Sequence, residues 1–309
     1  YQADGTSAVT YPLGNTVRIA PVSIDGLMRV GSLDGPCTPD CGQPWQSRTY
    51  DARGFPASMV DFNGVSTLTT YDAFGLLEST REAVGLPEER RTETSCDTSL
   101  RLPLVTRVLD GAGTALMATS QVYGATGLLL ARCQADLAEP DASTYVCSPA
   151  GDVPAGVRRW TYTYCAAVDT TQCPLAGLLL SITGPRKDVA QITTYQYYMD
   201  DTAQWRHGDL KSITDALGHV TSIARYDGAG RPTRTVDVNG VITDLTYTSR
   251  GWLQTRTVRA NADGSSASGD ILTKIAYTTY GNVEAITDPS GVVTNFIYDN
   301  AHRLTDIKD

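Results

Sequence analysis

The chain has 309 residues, 41% of them hydrophobic, a formal net charge of −9 and a sequence pI near 4.8. An acidic chain without a basic run cannot neutralise phosphates, which excludes a nucleic-acid binder. No stretch approaches the ~18 consecutive apolar residues of a membrane-spanning helix, so no membrane insertion is expected.

In chain order, residues 1–45 hold Pro, Gly and the short loop Cys37–Cys41, with Val17–Ala20 as a candidate strand. They read as a lead-in or a degenerate repeat. The array then runs over residues 46–309. From residue 50 a pattern sets in: Tyr50 and Tyr71 lie 21 residues apart, as do Tyr226 and Tyr247, and Tyr277 and Tyr298. Gly follows four positions after Tyr at Gly54, Gly75, Gly127, Gly230, Gly251 and Gly281. A second set, Asp61–Gly64, Asp110–Gly113, Asp215–Gly218, Asp237–Gly240 and Asp288–Gly291, spells D-x-x-G. Asp can accept from the backbone ahead of it, and Gly relieves the exit, so these are type I turns. Between turns the residues alternate. Val241, Thr243, Leu245 and Tyr247 share one face, while Ile242, Asp244 and Thr246 share the other. Turn signals every 8–12 residues predict successive β-hairpins, and helical signal is nearly absent. Tyr226 stands eight rather than seven positions after Gly218, which predicts a bulge.

Residues 86–205 carry the same elements stretched, with strands expected at Leu104–Leu109, Leu116–Tyr123, Leu128–Cys133, Arg159–Tyr164, Leu178–Thr183 and Gln191–Tyr198. Residues 206–309 are regular again except for the Ser- and Gly-rich insertion Ala260–Asp270, expected to be a mobile loop. Seven cysteines are present. Cys165 and Cys173 bracket one insertion, Cys133 and Cys147 another, and Cys37 and Cys41 a third, which is the placement of disulfide staples in an oxidising compartment. Cys96 is left unpaired or as an alternative partner. With no C-x-x-C, a zinc site is not expected.

The catalytic inventory is thin. His207, His219 and His302 are isolated in sequence, and no nucleophile elbow or Walker loop occurs. Asp61, Asp215, Asp237 and Asp288 all sit at turns, which explains them without a glycosidase pair. The aspartates Asp200, Asp201 and Asp263–Asp270 lack calcium-loop spacing. No catalytic residue, metal or cofactor is assigned. Of the aromatics, Trp160 and Trp205 fall outside the tyrosine interval and are the candidate ligand contacts, for glycans or proteins.

The segments Tyr226–Pro232, Asp237–Tyr247, Asp288–Asp299 and Tyr71–Leu77 resemble the YD-repeat, or RHS-repeat, family. In the last copy His302 stands where the glycine belongs. Match is poor from about Leu86 to Gln204. The resemblance implies an all-β array of antiparallel hairpins forming a large curled sheet, part of a spiral shell that encloses a polypeptide such as a toxin domain. It also implies a terminal plug with an autoproteolytic site, which is not recognisable before Asp309. The reading is therefore a non-enzymatic piece of a longer secreted bacterial protein, partnered by the rest of its own polypeptide or another copy. The alternative is an extracellular or cell-surface adhesion module.

Overall fold

The computed structural model describes residues 5–11, 14, 16–35 and 45–309. Among these described residues the fold is all-β, with twenty-three strands and one four-residue helix, α1 (Pro140–Ser143). Two compact units divide at Thr161/Tyr162. No described helix is long and apolar enough to cross a membrane.

The first unit begins with β1 (Ser7–Thr10), β2 (Thr16–Ile24) and β3 (Leu27–Asp34). Asp25 and Gly26, both at positive φ (51° and 76°), make the two-residue turn between β2 and β3. Val17, Leu33 and Trp45 form a small buried cluster there. The ladder between β3 and the next strand has one pair, Ser32 opposite Ser47, and Met59 of the following hairpin packs against the cluster. Then follow β4 (Ser47–Tyr50), β5 (Pro56–Val60), β6 (Ser66–Tyr71), β7 (Leu77–Glu82), β8 (Arg90–Cys96), β9 (Pro103–Asp110), β10 (Ala115–Tyr123), β11 (Leu129–Asp136) and β12 (Val157–Tyr164). Each pairs antiparallel with its chain neighbour.

The second unit takes up the end of β12 and continues with β13 (Leu179–Thr183), β14 (Ile192–Tyr197), β15 (Leu210–Thr214), β16 (Val220–Tyr226), β17 (Pro232–Val236), β18 (Ile242–Tyr247), β19 (Leu253–Val258), β20 (Ile271–Tyr277), β21 (Val283–Thr287), β22 (Val293–Tyr298) and β23 (Leu304–Lys308). From β13 onward every strand again pairs antiparallel with the next.

One turn builds most hairpins. At Asp61 the Gly64 amide donates to the Asp61 carbonyl (3.1 Å) and the Asp61 amide to the Val65 carbonyl (3.0 Å). Asp61 Oδ1 accepts from the Asn63 and Val65 amides, both at 2.8 Å. Gly64 sits at φ 82°, the left-handed residue that a three-residue loop with a terminal bulge requires. The Tyr-linked turns are the same object shifted by one residue. Asp51–Gly54, Asp227–Gly230, Thr248–Gly251 and Thr278–Gly281 close with the same pair of bonds. The two turn motifs of the sequence are one turn.

A second irregularity recurs. Thr246 lies opposite Thr255 but Tyr247 opposite Leu253, leaving Gln254 extra in β19. The same shift occurs beside Tyr50, Tyr71, Tyr277 and Tyr298. The bulge falls on the odd strand, so the even strands alternate without interruption. Thr294, Phe296 and Tyr298 are accordingly half-buried, and Val293, Asn295 and Ile297 exposed. β16 carries one further bulge: Ile223 is opposite Thr235 and Arg225 opposite Arg234. Ala224 absorbs the extra residue and returns Tyr226 to the face of Ile223.

The segment that matches the repeat poorly in sequence is a full part of the array. Every even strand from β4 to β22 ends on Tyr, except β8, which ends on Cys96. Tyr164 and Tyr197 hold the repeat position although their glycines lie far away. The insertion expected to be mobile is tied down. Arg259 bridges Asp244 (2.7 Å) and Asp270 (2.7 Å), and Arg234 pairs with Asp244 (2.5 Å) and donates to the Gly264 carbonyl (3.1 Å). These four charged side chains are only 12–18% exposed, so the ties form away from bulk water.

Candidate functional site

The repeated tyrosine is the most regular side-chain feature of the sheet. Tyr247 Oη donates to the Pro232 carbonyl at 2.8 Å, Tyr277 to Leu253 at 2.8 Å, Tyr298 to Val283 at 2.9 Å, Tyr226 to Leu210 at 2.6 Å and Tyr197 to Leu179 at 2.7 Å. In each case the acceptor is the first residue of the preceding strand. The backbone pairing of β17 with β18 stops at Arg234–Asp244, and that of β21 with β22 at Ala285–Asn295. Beyond those points the phenol spans the widening gap and satisfies a carbonyl the ladder no longer serves. Such a bond contributes about 1 kcal/mol. Tyr50 makes the equivalent reach to Val30, at 2.9 Å.

The residue after the turn glycine packs on the next repeat's tyrosine. Phe55 stacks on Tyr71 (5.0 Å), Trp252 on Tyr277 (5.2 Å), and the Arg231 guanidinium lies 4.6 Å over Tyr247. Arg231 also pairs with Asp227 at 2.6 Å. Hence the consensus Asp, Gly, Arg and Tyr are one connected device, in which each repeat holds the next. Burial first, then the negative charge of Asp209 and of Tyr198, pushes the Tyr226 phenol up to about 12. Burial also raises Tyr197 and Tyr247.

The insertions use the same frame. The Gly177 amide donates to the Cys165 carbonyl (2.8 Å) and the Cys165 amide to the Leu178 carbonyl (2.8 Å), the two bonds of the short turn. The Cys165–Cys173 disulfide, Cα–Cα 5.4 Å, seals the chain looped out between them. Gly208 and Tyr198 repeat this closure around the loop that carries Trp205. Cys133 is joined to Cys147, Cα–Cα 5.7 Å, and this bridge holds a flap between Asp136 and Gly156 against β11 and β12. Cys133, Ala135, Ala142 and Val157 are buried under it, packed by Leu137, Tyr145 and Val153. Arg159, directly opposite Cys133, donates to the carbonyls of Ser148 (3.2 Å), Ala150 (3.0 Å) and Gly151 (2.9 Å). Cys96 is free and half-buried; burial and then Asp72 raise its thiol pKa. Cys37 and Cys41 lie outside the described residues.

The other sequence candidates are occupied. Trp205 stacks on Tyr198 at 4.2 Å, 12° from parallel, and its indole N–H donates to Asp200 (3.3 Å). Trp160 lies opposite Arg132, whose guanidinium is 5.6 Å over the ring. Each tryptophan belongs to its own unit. Asp215 accepts from the Leu217 and His219 amides and meets the His219 ring at 3.0 Å, so both finish a turn. His207 leans on Asp201 (3.5 Å), and His302 packs against Tyr280 (4.2 Å). Asp61, Asp237 and Asp288 are likewise spent on turn amides. Hydrogen bonds from Ser290 and the backbone lower the Asp288 pKa, and backbone bonds led by His219 lower that of Asp215, the wrong direction for a general acid. No group of three or more His, Cys, Asp or Glu among the described residues is placed to hold a metal ion. Sequence reasoning missed the Phe55, Trp252 and Arg231 packing positions, and their constant place after the turn glycine was the available signal.

The RHS Repeat family model matches residues 205–242 and 277–309. No protein with a curated description matches the chain in sequence. Among solved structures it is similar to the crystal structure of TcdB2-TccC3-Cdc42, at 17% identity and TM-score 0.55, covering 94% of this chain and 15% of that one. TcdB2-TccC3-TEV gives 17% identity and TM-score 0.56, with 95% of this chain and 15% of that chain covered. A Photorhabdus luminescens Tc holotoxin pore gives 17% and 0.53, with 96% and 15% covered. The chain thus spans about 15% of the length of the solved chains it matches. It carries RHS repeats over residues 205–242 and 277–309, and the same tyrosine-and-turn device runs on outside those two segments.

Proposed function

We propose that the chain is a non-enzymatic structural segment of a secreted bacterial RHS/YD-repeat protein, one stretch of a β-wall that encloses or presents a polypeptide such as a toxin domain. The observation that carries this reading is the use of the repeat residues on one another. Tyrosine hydroxyls, turn aspartates and post-turn aromatics are consumed in holding strands together, which is the economy of a wall and not of an active site. Likeness in fold to the TcdB2-TccC3 assemblies and to a Tc holotoxin supports a wall in a toxin setting. The two disulfides support an oxidising destination. The array proper starts at residue 46, with 1–45 as its lead-in, a reading supported by the shortness of the β3–β4 ladder, which has one pair. Its partners are the rest of its own polypeptide or a second copy.

Limited proteolysis of the full natural polypeptide tests enclosure. The enclosed segment should resist protease in the folded protein and be cut at least tenfold faster after denaturation. Equal rates in both states sink enclosure. Mass spectrometry without reductant should count at most three free thiols; six or seven would remove the secreted assignment. The adhesion alternative through Trp160 and Trp205 is weakened by the stacking of Tyr198 on Trp205. A glycan array on the unaltered chain is its direct test.

A further inference from the structure

The two disulfides stand in different surroundings. Cys165 and Cys173 are 2% and 3% exposed, and Pro174 beside them is buried as well. Asp169 Oδ1 accepts from the amides of Thr171 (2.8 Å), Gln172 (2.8 Å) and Cys173 (3.0 Å), so the short loop is wound round a carboxylate. A thiolate arriving there meets a closed surface and a negative charge.

At the other bridge Cys133 is 2% exposed, but Cys147 is only half-buried and follows Val146, which is 82% exposed. Both cysteines line an open cavity of about 330 Å³ beneath the flap. That volume falls within the range of small-molecule sites, roughly 300–1,000 Å³. The charge differs too. Arg159 lies directly opposite Cys133 and donates to the carbonyl of Ser148, the residue after Cys147, so its guanidinium is held beside both halves of the bridge. Its acceptors are three carbonyls and the Tyr145 hydroxyl, all neutral, so its charge is retained. The acids of the flap, Asp136, Glu139, Asp141 and Asp152, are exposed, where water and salt screen them.

Thiol exchange is governed by access to the sulfur under attack and by the stability of the thiolate that leaves. Here the accessible sulfur is that of Cys147. The leaving thiolate is that of Cys133, which burial disfavours and the adjacent guanidinium favours. We propose that Cys147 is a site of exchange with low-molecular-weight thiols, which makes Cys133–Cys147 a reducible latch on the flap and leaves Cys165–Cys173 as a shielded staple. The incoming thiolate attacks Cys147 Sγ, the S–S bond breaks, and Cys133 Sγ takes the electron pair and then a proton from solvent. A second thiol attacks the sulfur of the first and releases Cys147 as a thiolate, which is protonated in turn. Two thiols are oxidised to their disulfide, and the bridge gains two electrons and two protons. Residues 137–156 then lose their covalent tie, while β11 and β12 keep their ladder. The proposal goes beyond the reading of the chain as a wall and holds whether or not the wall encloses anything.

The test takes the 309-residue chain with its free thiols first capped by iodoacetamide. It is exposed to reduced glutathione, quenched at intervals with N-ethylmaleimide, and its peptides are weighed. A glutathione adduct should appear on Cys147. Maleimide should then label Cys133 and Cys147 about tenfold or more faster than Cys165 and Cys173. Amide exchange over residues 137–156 should quicken in step, while that over 166–177 stays as it was. Equal or faster reduction of Cys165–Cys173 overturns the proposal. So does an adduct on Cys133 in place of Cys147, resistance of both bridges to the thiol, or unchanged exchange over 137–156 once the bridge is reduced.

Discussion

The turn at Asp288 and the loop at Cys165 close with the same two backbone hydrogen bonds, yet Gly291 follows Asp288 by three positions and Gly177 follows Cys165 by twelve. The comparison shows what the repeat specifies. It does not specify loop length. It specifies a left-handed glycine and the pair of bonds it closes, with a tyrosine one residue before them in alternate turns, as Tyr164 stands before Cys165 and Thr287 before Asp288. Once those are present, the chain between can be looped out and sealed with a disulfide, and the sheet on either side does not change. The regular stretch, β16 to β23, is stabilised by Tyr, Asp and Arg acting between repeats. The stretched region adds a bridge for two of its detours, while the one that carries Trp205 closes on backbone bonds and the stacking of Trp205 on Tyr198. Loop closure entropy grows slowly with length, which makes such detours tolerable.

The largest effects should come where a detour depends on its bridge. Cys147→Ser, which breaks the Cys133–Cys147 closure, should lower the opening free energy of the flap by about 3 kcal/mol, read as faster amide hydrogen exchange over residues 137–156. Cys173→Ser should act mainly on residues 166–177. Fast exchange spreading from either loop into β13 and β14 would show that bridges hold the sheet too, and the contrast with the regular region would fail.

Asp244→Asn comes next. It leaves Arg234 and Arg259, both mostly shielded from solvent, without their common partner. About 2–3 kcal/mol of local stability should go, and Ala260–Asp270 should become protease-sensitive. Hydrogen bonds from Arg234 come first among the causes that hold the Asp244 pKa below the usual carboxylate range. A group whose pKa is lowered on folding stabilises the fold above its unfolded value and loses that contribution as pH falls through the folded one. The insertion should therefore loosen below about pH 4, earlier than the uncharged clasp at Tyr247.

Tyr247→Phe and Tyr277→Phe should each cost about 1 kcal/mol, the worth of one hydrogen bond, with the ring packing retained. Tyr226 adds a pH signature. Its pKa is raised on folding, so its contribution is fully present below pH ~10 and is lost as pH rises through about 12. Alkaline unfolding in that window should be shallower in Tyr226→Phe. An unchanged alkaline curve would mean that the phenol is not the group responsible.

How much of this was legible in the chain follows from the range of each interaction. The tyrosine interval, the turn and the alternating faces are local, and Asp237–Gly240 or Tyr247 display them within ten residues. The bulge at Ala224 was legible too, as a count of eight instead of seven. Cys96 in the tyrosine position was not legible, because the identifying residue is itself replaced. Yet Asp97 follows it, and the Asp97 amide donates to the Leu102 carbonyl much as other turns do. Nor was the order of Ala260–Asp270 legible. Its Ser and Gly content predicts mobility, but Arg234 and Asp244, which fix it, come from strands well before it. Trp205 was selected for standing outside the interval, and only its loop's return onto Tyr198 reveals a packing role.

The smallest effect tests the turn itself. His302 occupies the glycine position at φ 61°, and its amide donates to the Asp299 carbonyl (2.9 Å) as Gly291 does to Asp288 (3.1 Å). A residue with Cβ in this region costs about 1–2 kcal/mol. Gly291→Ala shows that cost alone, because a Cβ there meets nothing within 4 Å. It should destabilise by about 1 kcal/mol. His302→Gly should not return the full amount. It loses the ring contact with Tyr280, and glycine gives up more backbone freedom on folding, about 0.5–1 kcal/mol. The expected net gain is therefore under about 1 kcal/mol, read as slower hydrogen exchange at the amides of β23. If His302→Gly instead destabilises by more than Gly291→Ala, the imidazole is a structural substitute for glycine through its contact with Tyr280, and the turn tolerates side chains wherever the next repeat can pack them.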